Sequence, residues 1–246
     1  MTVDHPADLT IVTLVPLLLD TNGDAANARV LAQRARWAGL SARIVPVHSV
    51  ADLPAVVDLV VIGSGTDTSL TAARDALSAL ADALRGWLGG GVPILAVGTG
   101  WELLSAGLDL ADGTSIDGLG LVAGRARALP ARVADDLAVD LGDGLRLLGF
   151  ENHLRGYTGG TAPLGTVSSG TGNGDGTEGV VDGSFTGTHV HGPVLARNPR
   201  LADRLLAIAG TARGLTVTPS AQTESVDGIA KAARNQVAVR LGLTSE

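Results

Sequence analysis

Two imidazoles stand two residues apart in Thr188-His189-Val190-His191-Gly192-Pro193. Imidazole is the side chain whose charge changes closest to neutral pH, which suits it to act as a base. The group for it to act on belongs in Val92-Pro-Ile-Leu-Ala-Val-Gly98-Thr99-Gly100-Trp101-Glu102. There an apolar strand runs into a glycine-flanked turn and a helical stretch, the outline of a nucleophile elbow. Such a turn admits only small flanking residues, projects its apex side chain above the sheet, and aims backbone N–H groups at a developing oxyanion. The apex here is Gly98, and the whole chain contains no cysteine. Thr99 offers a hydroxyl one position later, but a neutral threonine needs a close base and the displacement redirects its side chain. On its own this is a strand-to-helix turn that any α/β protein can contain.

The His-x-His pair also suggests a metal, because residues two apart in an extended strand share a face. No Asp, Glu or third His lies at ligand spacing, so no metal and no cofactor is expected. Ser64 and Ser105 read as structural hydroxyls. Glu151-Asn152-His153 follows apolar Leu147-Leu-Gly-Phe150 and reads as a polar strand end that caps local backbone. Asp175 and Glu178 lie in Gly-rich text with too few oxygen ligands for a calcium loop and are expected to be solvated. Trp101 is expected over the vacant apex, Trp37 and Trp87 between helix and sheet.

The elements that must position these groups are legible from periodicity. Strands are expected over 9–15, 42–47, 56–62 and 92–97, short apolar runs that fit a sheet buried on both faces. Between them fall helices over 25–38, ended by Gly39, and over 69–88, ended by Gly89-Gly90-Gly91. Alternating strands and helices imply a doubly wound, mostly parallel sheet. Residues 113–182 are Gly-rich, with short strand-like runs at 145–150, 164–168 and 179–181 and an exposed loop over 168–177. A strand over 185–190 and helices over 199–212 and 226–241 follow.

With 246 residues, 45% of them hydrophobic, the chain can bury a sizeable core, and a single domain over 1–246 is expected. Its net charge of −7 and scattered basic residues argue against nucleic acid. No apolar run approaches the roughly 20 residues that span a bilayer. Met1-Thr-Val-Asp-His-Pro6 lacks the basic-then-apolar text of a leader, so a cytoplasmic location is expected.

Several local patterns, in order, resemble the CobB/CobQ-like class I glutamine amidotransferases, and among them the GatD-like glutaminase subunits. These are Asp24-Ala-Ala-Asn27 with Leu31 to Arg34, Ile62-Gly63-Ser64-Gly65-Thr66-Asp67, Gly118-Leu-Gly120, Gly149-Phe150-Glu151-Asn152-His153 and Gly187-Thr-His-Val-His191-Gly192-Pro193. The resemblance covers nearly the whole chain. It implies a flavodoxin-like three-layer α/β sandwich with nucleophile-elbow topology. It makes His191 the retained base, Gly98 the position of the absent cysteine, and Gly63, Ser64 and Gly65 an oxyanion loop. Gly100, Glu102, Asn152 and His153 would then line the substrate cleft.

The departures fall where the chemistry would be. The family elbow reads Cys-x-Gly-[Tyr/Phe]-Gln, against Gly98, Thr99, Gly100, Trp101 and Glu102 here. The family's carboxylate-binding arginine aligns near Ala128, with Arg125, Arg127 and Arg132 as candidates for a shifted match. The resemblance therefore implies a subunit without glutamine hydrolysis, bound in a heterodimer to a MurT-like Mur-ligase-family protein of cell-wall precursor synthesis. The alternatives are an amidohydrolase using Thr99, or a binding protein whose Glu102 faces glutamine or another small amine.

Overall fold

Every residue of Leu9-Thr-Ile-Val-Thr-Leu14 is buried, as the two-sided apolar run requires. This strand, β1 (Leu9–Leu14), opens a strand-helix alternation in the computed structural model, which describes residues 7–142 and 144–245. Residues 1–6, the text read for a leader, lie outside the described residues. The alternation continues through α1 (Ala26–Trp37), β2 (Ala42–Val47), β3 (Leu59–Ile62), α2 (Leu70–Ala79), α3 (Ala81–Gly89), β4 (Ile94–Val97) and α4 (Thr99–Leu104). Where β1 ends, Val15 has φ 47°, the one positive φ among described non-glycine residues, and donates its N–H to Val47 O.

The second half supplies β5 (Gly107–Asp109), β6 (Ser115–Asp117), β7 (Arg125–Gly142), β8 (Leu145–Thr158), β9 (Gly165–Ser169), β10 (Thr177–Glu178), β11 (Val180–Asp182), β12 (Phe185–Thr188) and β13 (Val190–His191). It closes with α5 (Val194–Arg197), α6 (Pro199–Ala212) and α7 (Ala221–Arg240). The first sheet has the order β11-β12-β4-β3-β1-β2, parallel except for β11 at its edge. Its strands alternate their side chains between two cores. Leu9, Ile11, Leu59, Val61, Leu95 and Val97 pack with α1, α5 and α6. Val12, Leu14, Val60, Ile62, Ile94 and Ala96 pack with α2, α3 and α4. Helices thus cover both faces, the expected three-layer arrangement.

Four expectations need correction. The helix read over 69–88 is two helices, because Leu80 leaves helical geometry (φ −99°, ψ 6°) while it and Leu84 stay in the core. No Gly or Pro marks that break. The 113–182 region holds a second, largely antiparallel sheet centred on a long β7–β8 hairpin, where short strands and loops were expected. The strand read over 185–190 divides between the sheets, β12 pairing with β4 and β13 with β8, and His189 lies at the crossing. Helix α7 starts at Ala221 and not Val226, since the Ser220 side chain accepts from Thr223 N as an N-cap.

Candidate functional site

The site lies beyond the C-terminal ends of β1, β3, β4 and β12, where open α/β sheets place their ligands. At the end of β4, Gly98 adopts φ 48° and ψ −120°, a conformation open to glycine and strained for other residues. Its N–H donates to Thr188 O, which ties the elbow to β12. A Cβ on Gly100 would strike Gly63 O and the Ile62 side chain, so only glycine lets α4 approach β3 this closely. Gly63 and Gly100 thus pack behind the elbow, while Ser64, Gly65, Gly98 and Thr99 face a cleft of about 180 Å³. Glu102, Asn152, His153 and His191 line the same cleft, so the sequence-expected residues are largely brought together.

Asp24, fully buried, organises the cleft and carried no assigned role in the sequence reading. Its carboxylate accepts from Ser64 N at 3.0 Å and Gly192 N at 3.0 Å, joining the two glycine-flanked loops. His191 Nδ1 lies 3.2 Å from Asp24 Oδ2 and 3.1 Å from Asn22 Nδ2. Nδ1 cannot accept from Asn22 and donate to Asp24 at once; with its proton directed at the carboxylate, Nε2 is the basic nitrogen, and Nε2 is buried without a hydrogen-bond partner. The ring faces the elbow apex: a Cβ built on Gly98 would lie 2.9 Å from His191 Cε1. Thr99 Oγ1 donates to Gly65 O at 3.0 Å and lies 3.3 Å from Ser64 Oγ, so its hydroxyl has no base beside it.

Glu102 faces an internal cation. It is 1% exposed, and Arg155 Nε donates to its Oε2 at 2.8 Å while Arg155 Nη1 reaches Asp67 at 2.9 Å. Arg155 was missed because nothing in the β8 text sets it apart. Of the three arginines proposed for a shifted match, Arg125 and Arg127 bind Asp109 instead. Arg132 reaches the cleft, donating to Asn152 Oδ1 at 2.9 Å, and Asn152 in turn contacts Asn22.

Behind the cleft lies a buried polar row. Glu178, expected to be solvated, is fully buried. It accepts from Thr188 Oγ1 at 2.7 Å and His189 N at 2.8 Å, and lies 3.0 Å from His189 Nδ1. The His189 ring stacks on His153 at 4.2 Å, and His153 Nε2 lies 3.0 Å from Glu151. Glu151 accepts from Thr171 N and Gly172 N, fixing the Gly-rich loop to β8. His189 and His191 therefore turn to different carboxylates and do not form a shared ligand pair. Trp101 is also displaced from its expected place. It lies fully buried beneath the elbow, 4.1 Å from the Tyr157 ring and 4.7 Å from His189, where Gly187 makes room for it.

This row sets an acid limit on stability. Burial opposes ionisation of Glu178, but the charge of His189 and hydrogen bonds from His189 and Thr188 hold its pKa below the ordinary value. Burial, aided by His153, lowers that of His189 against the pull of Glu178. Both folded-state values are depressed, so the unfolded chain binds more protons as the medium is acidified. Urea midpoints should be level above the ordinary histidine value of 6.5, fall below it, and fall again below the glutamate value of 4.5. A midpoint that rises between pH 7 and pH 5 would contradict this assignment.

A parallel sheet with helices on both faces, a central strand ending in an elbow, and a carboxylate-held histidine facing the apex define a class I glutamine amidotransferase-like α/β protein. The chain belongs to the CobB/CobQ-like glutamine amidotransferase domain family, whose model matches residues 22–199. It is 27% identical over 235 residues to lipid II isoglutaminyl synthase (glutamine-hydrolyzing) subunit GatD of Staphylococcus aureus (strain N315), a match covering 94% of this chain and 95% of that protein. The subunit of the same name from Streptococcus pneumoniae (strain ATCC BAA-255 / R6) is 31% identical over 215 residues, covering 84% and 82%. A crystal structure of a glutamine amidotransferase from Thermotoga maritima aligns with TM-score 0.50 over 95% of this chain and 98% of its own, at 13% identity, and supports the fold alone. No helix among the described residues is long and apolar enough to cross a membrane.

Proposed function

We propose that this chain is a GatD-like, single-domain subunit of cytoplasmic peptidoglycan-precursor amidation that does not hydrolyse glutamine and acts as a binding or regulatory partner of a Mur-ligase-like (MurT-like) protein. The observation that carries the reading is Gly98. The elbow is intact and His191 faces its apex, yet no side chain stands there to be deprotonated. The Thr99 hydroxyl is committed to Gly65 O, which speaks against the threonine alternative. The relatives' name, subunit GatD of lipid II isoglutaminyl synthase (glutamine-hydrolyzing), supports a role as one subunit of an assembly.

The test is glutamate release from glutamine by the purified chain, alone and with a MurT-like Mur-ligase-family protein of the same organism. Release no faster than the buffer blank is expected in both cases. Turnover that disappears in His191→Ala would overturn the reading. Co-purification of the two proteins is the companion measurement, and two proteins that never associate would remove the partner half of the proposal.

A further inference from the structure

Two backbone N–H groups at the cleft are already hydrogen-bonded and the space above the elbow apex is crowded, and Ser64 takes part in all three. In an elbow the N–H of the residue after the apex faces the oxyanion, and its strength depends on being free until substrate arrives. Here Thr99 N is directed at Ser64 Oγ, 3.4 Å away, within a site where Ser64 and Thr99 are 5% and 3% exposed. The Ser64 N–H is likewise taken, by Asp24. The apex is closed in the same manner. A Cβ on Gly98 would lie 2.8 Å from Ser64 Oγ and 3.2 Å from Ser64 Cβ, with His191 Cε1 at 2.9 Å. The two contacts under 3.0 Å are to the Ser64 hydroxyl and the His191 ring edge, so an apex side chain enters only if these side chains move aside.

We propose that Ser64 is a built-in occupant of the vacated elbow. Its hydroxyl takes the place of a substrate oxygen at Thr99 N–H, its side chain fills the space of the missing residue, and Ser64 and Gly98 form a matched exchange of a side chain between facing loops. The inference rests on the reading that glutamine is not hydrolysed, and it names the positioning residue that keeps the site shut. His191 Nε2, buried and unpartnered, is the third member of the arrangement: it loses the apex group and gains nothing from Ser64. Reversal therefore requires two changes. A cysteine at position 98 meets Ser64, whereas the same cysteine opposite a glycine at 64 has room to reach His191.

The chain has no cysteine of its own, so a thiol placed at 98 is read without background. Iodoacetamide alkylation is compared for Gly98→Cys, Gly98→Cys with Ser64→Gly, and that pair with His191→Asn, each shown to be folded by circular dichroism. The pair should react at least tenfold faster than the single variant at pH 7. Its rate should titrate well below the ordinary thiol value of about 8.5, as a histidine-paired thiolate does, and the advantage should vanish with His191→Asn. Equal rates for single and pair overturn the proposal.

If Gly98→Cys does not fold, Ser64→Ala in the otherwise native chain replaces it. Removing Oγ should speed hydrogen exchange at the Thr99 amide at least tenfold, and an unchanged rate overturns the proposal. Glutamine hydrolysis by the native chain would overturn the functional reading without touching these rates. Equal alkylation rates would remove the role of Ser64 and leave that reading standing.

Discussion

Glu178→Ala should lower the free energy of unfolding by about 3–5 kcal/mol, since it leaves several buried donors without their acceptor. The carboxylate is fully buried and serves the Thr188 hydroxyl, the His189 N–H and the His189 ring together. Removing it strands three donors at the point where the chain crosses from β12 to β13, and each unsatisfied donor costs roughly 1–3 kcal/mol. Glu178→Gln keeps the shape and one acceptor and should cost less than half as much. Urea unfolding at pH 7.5 measures both. A loss under 1 kcal/mol for the alanine variant would mean that water replaces the carboxylate and that the row is not sealed.

Arg155→Met should be as damaging, for a different reason. It leaves Glu102, 1% exposed, as a buried carboxylate with its cation gone, again a loss of about 3–5 kcal/mol. Adding Glu102→Gln removes the stranded charge and should return at least about 1.5 kcal/mol, because the two residues act as a pair. Additive losses in this double-mutant cycle would show that Arg155 acts through Asp67 alone. The cycle bears on function as well, since it asks whether the wall of the cleft is held by an internal ion pair or by a charge awaiting a ligand.

Most elements of the first half were readable because β1, β3 and β4 are largely apolar and buried along their whole length and each helix keeps one apolar face, so burial is written into the local text; the break at Leu80 left no such mark. The long hairpin was not readable. From Ala128 to Asp136 β7 is mostly exposed on both faces, so its residues show no alternation. At the site, the glycine turns and the histidine motif were legible locally, and the structure sets them around one cleft. What escaped was pairing across distance. His191 meets Asp24 over 167 positions and Arg155 meets Glu102 over 53, separations at which a single sequence carries no record of contact. Glu178 escaped differently: glycine-rich surroundings suggested solvent, but they mark a loop folded tightly enough to bury its carboxylate.

Val15 and Gly98 follow the parallel strands β1 and β4, which lie on either side of β3, and have nearly the same φ, 47° and 48°. A β-branched residue held at such an angle costs of order 1–3 kcal/mol, while glycine at the apex is close to relaxed. An elbow that carries a nucleophile trades stability for reactivity, a debt that selection tolerates only while the reaction is useful. Once that reaction is dispensable, glycine is the substitution that leaves the backbone path unchanged and releases the stored strain. The shape of the elbow can therefore outlast its chemistry, and the loss becomes hard to reverse, since a returning side chain would have to reinstate the strain before restoring any activity.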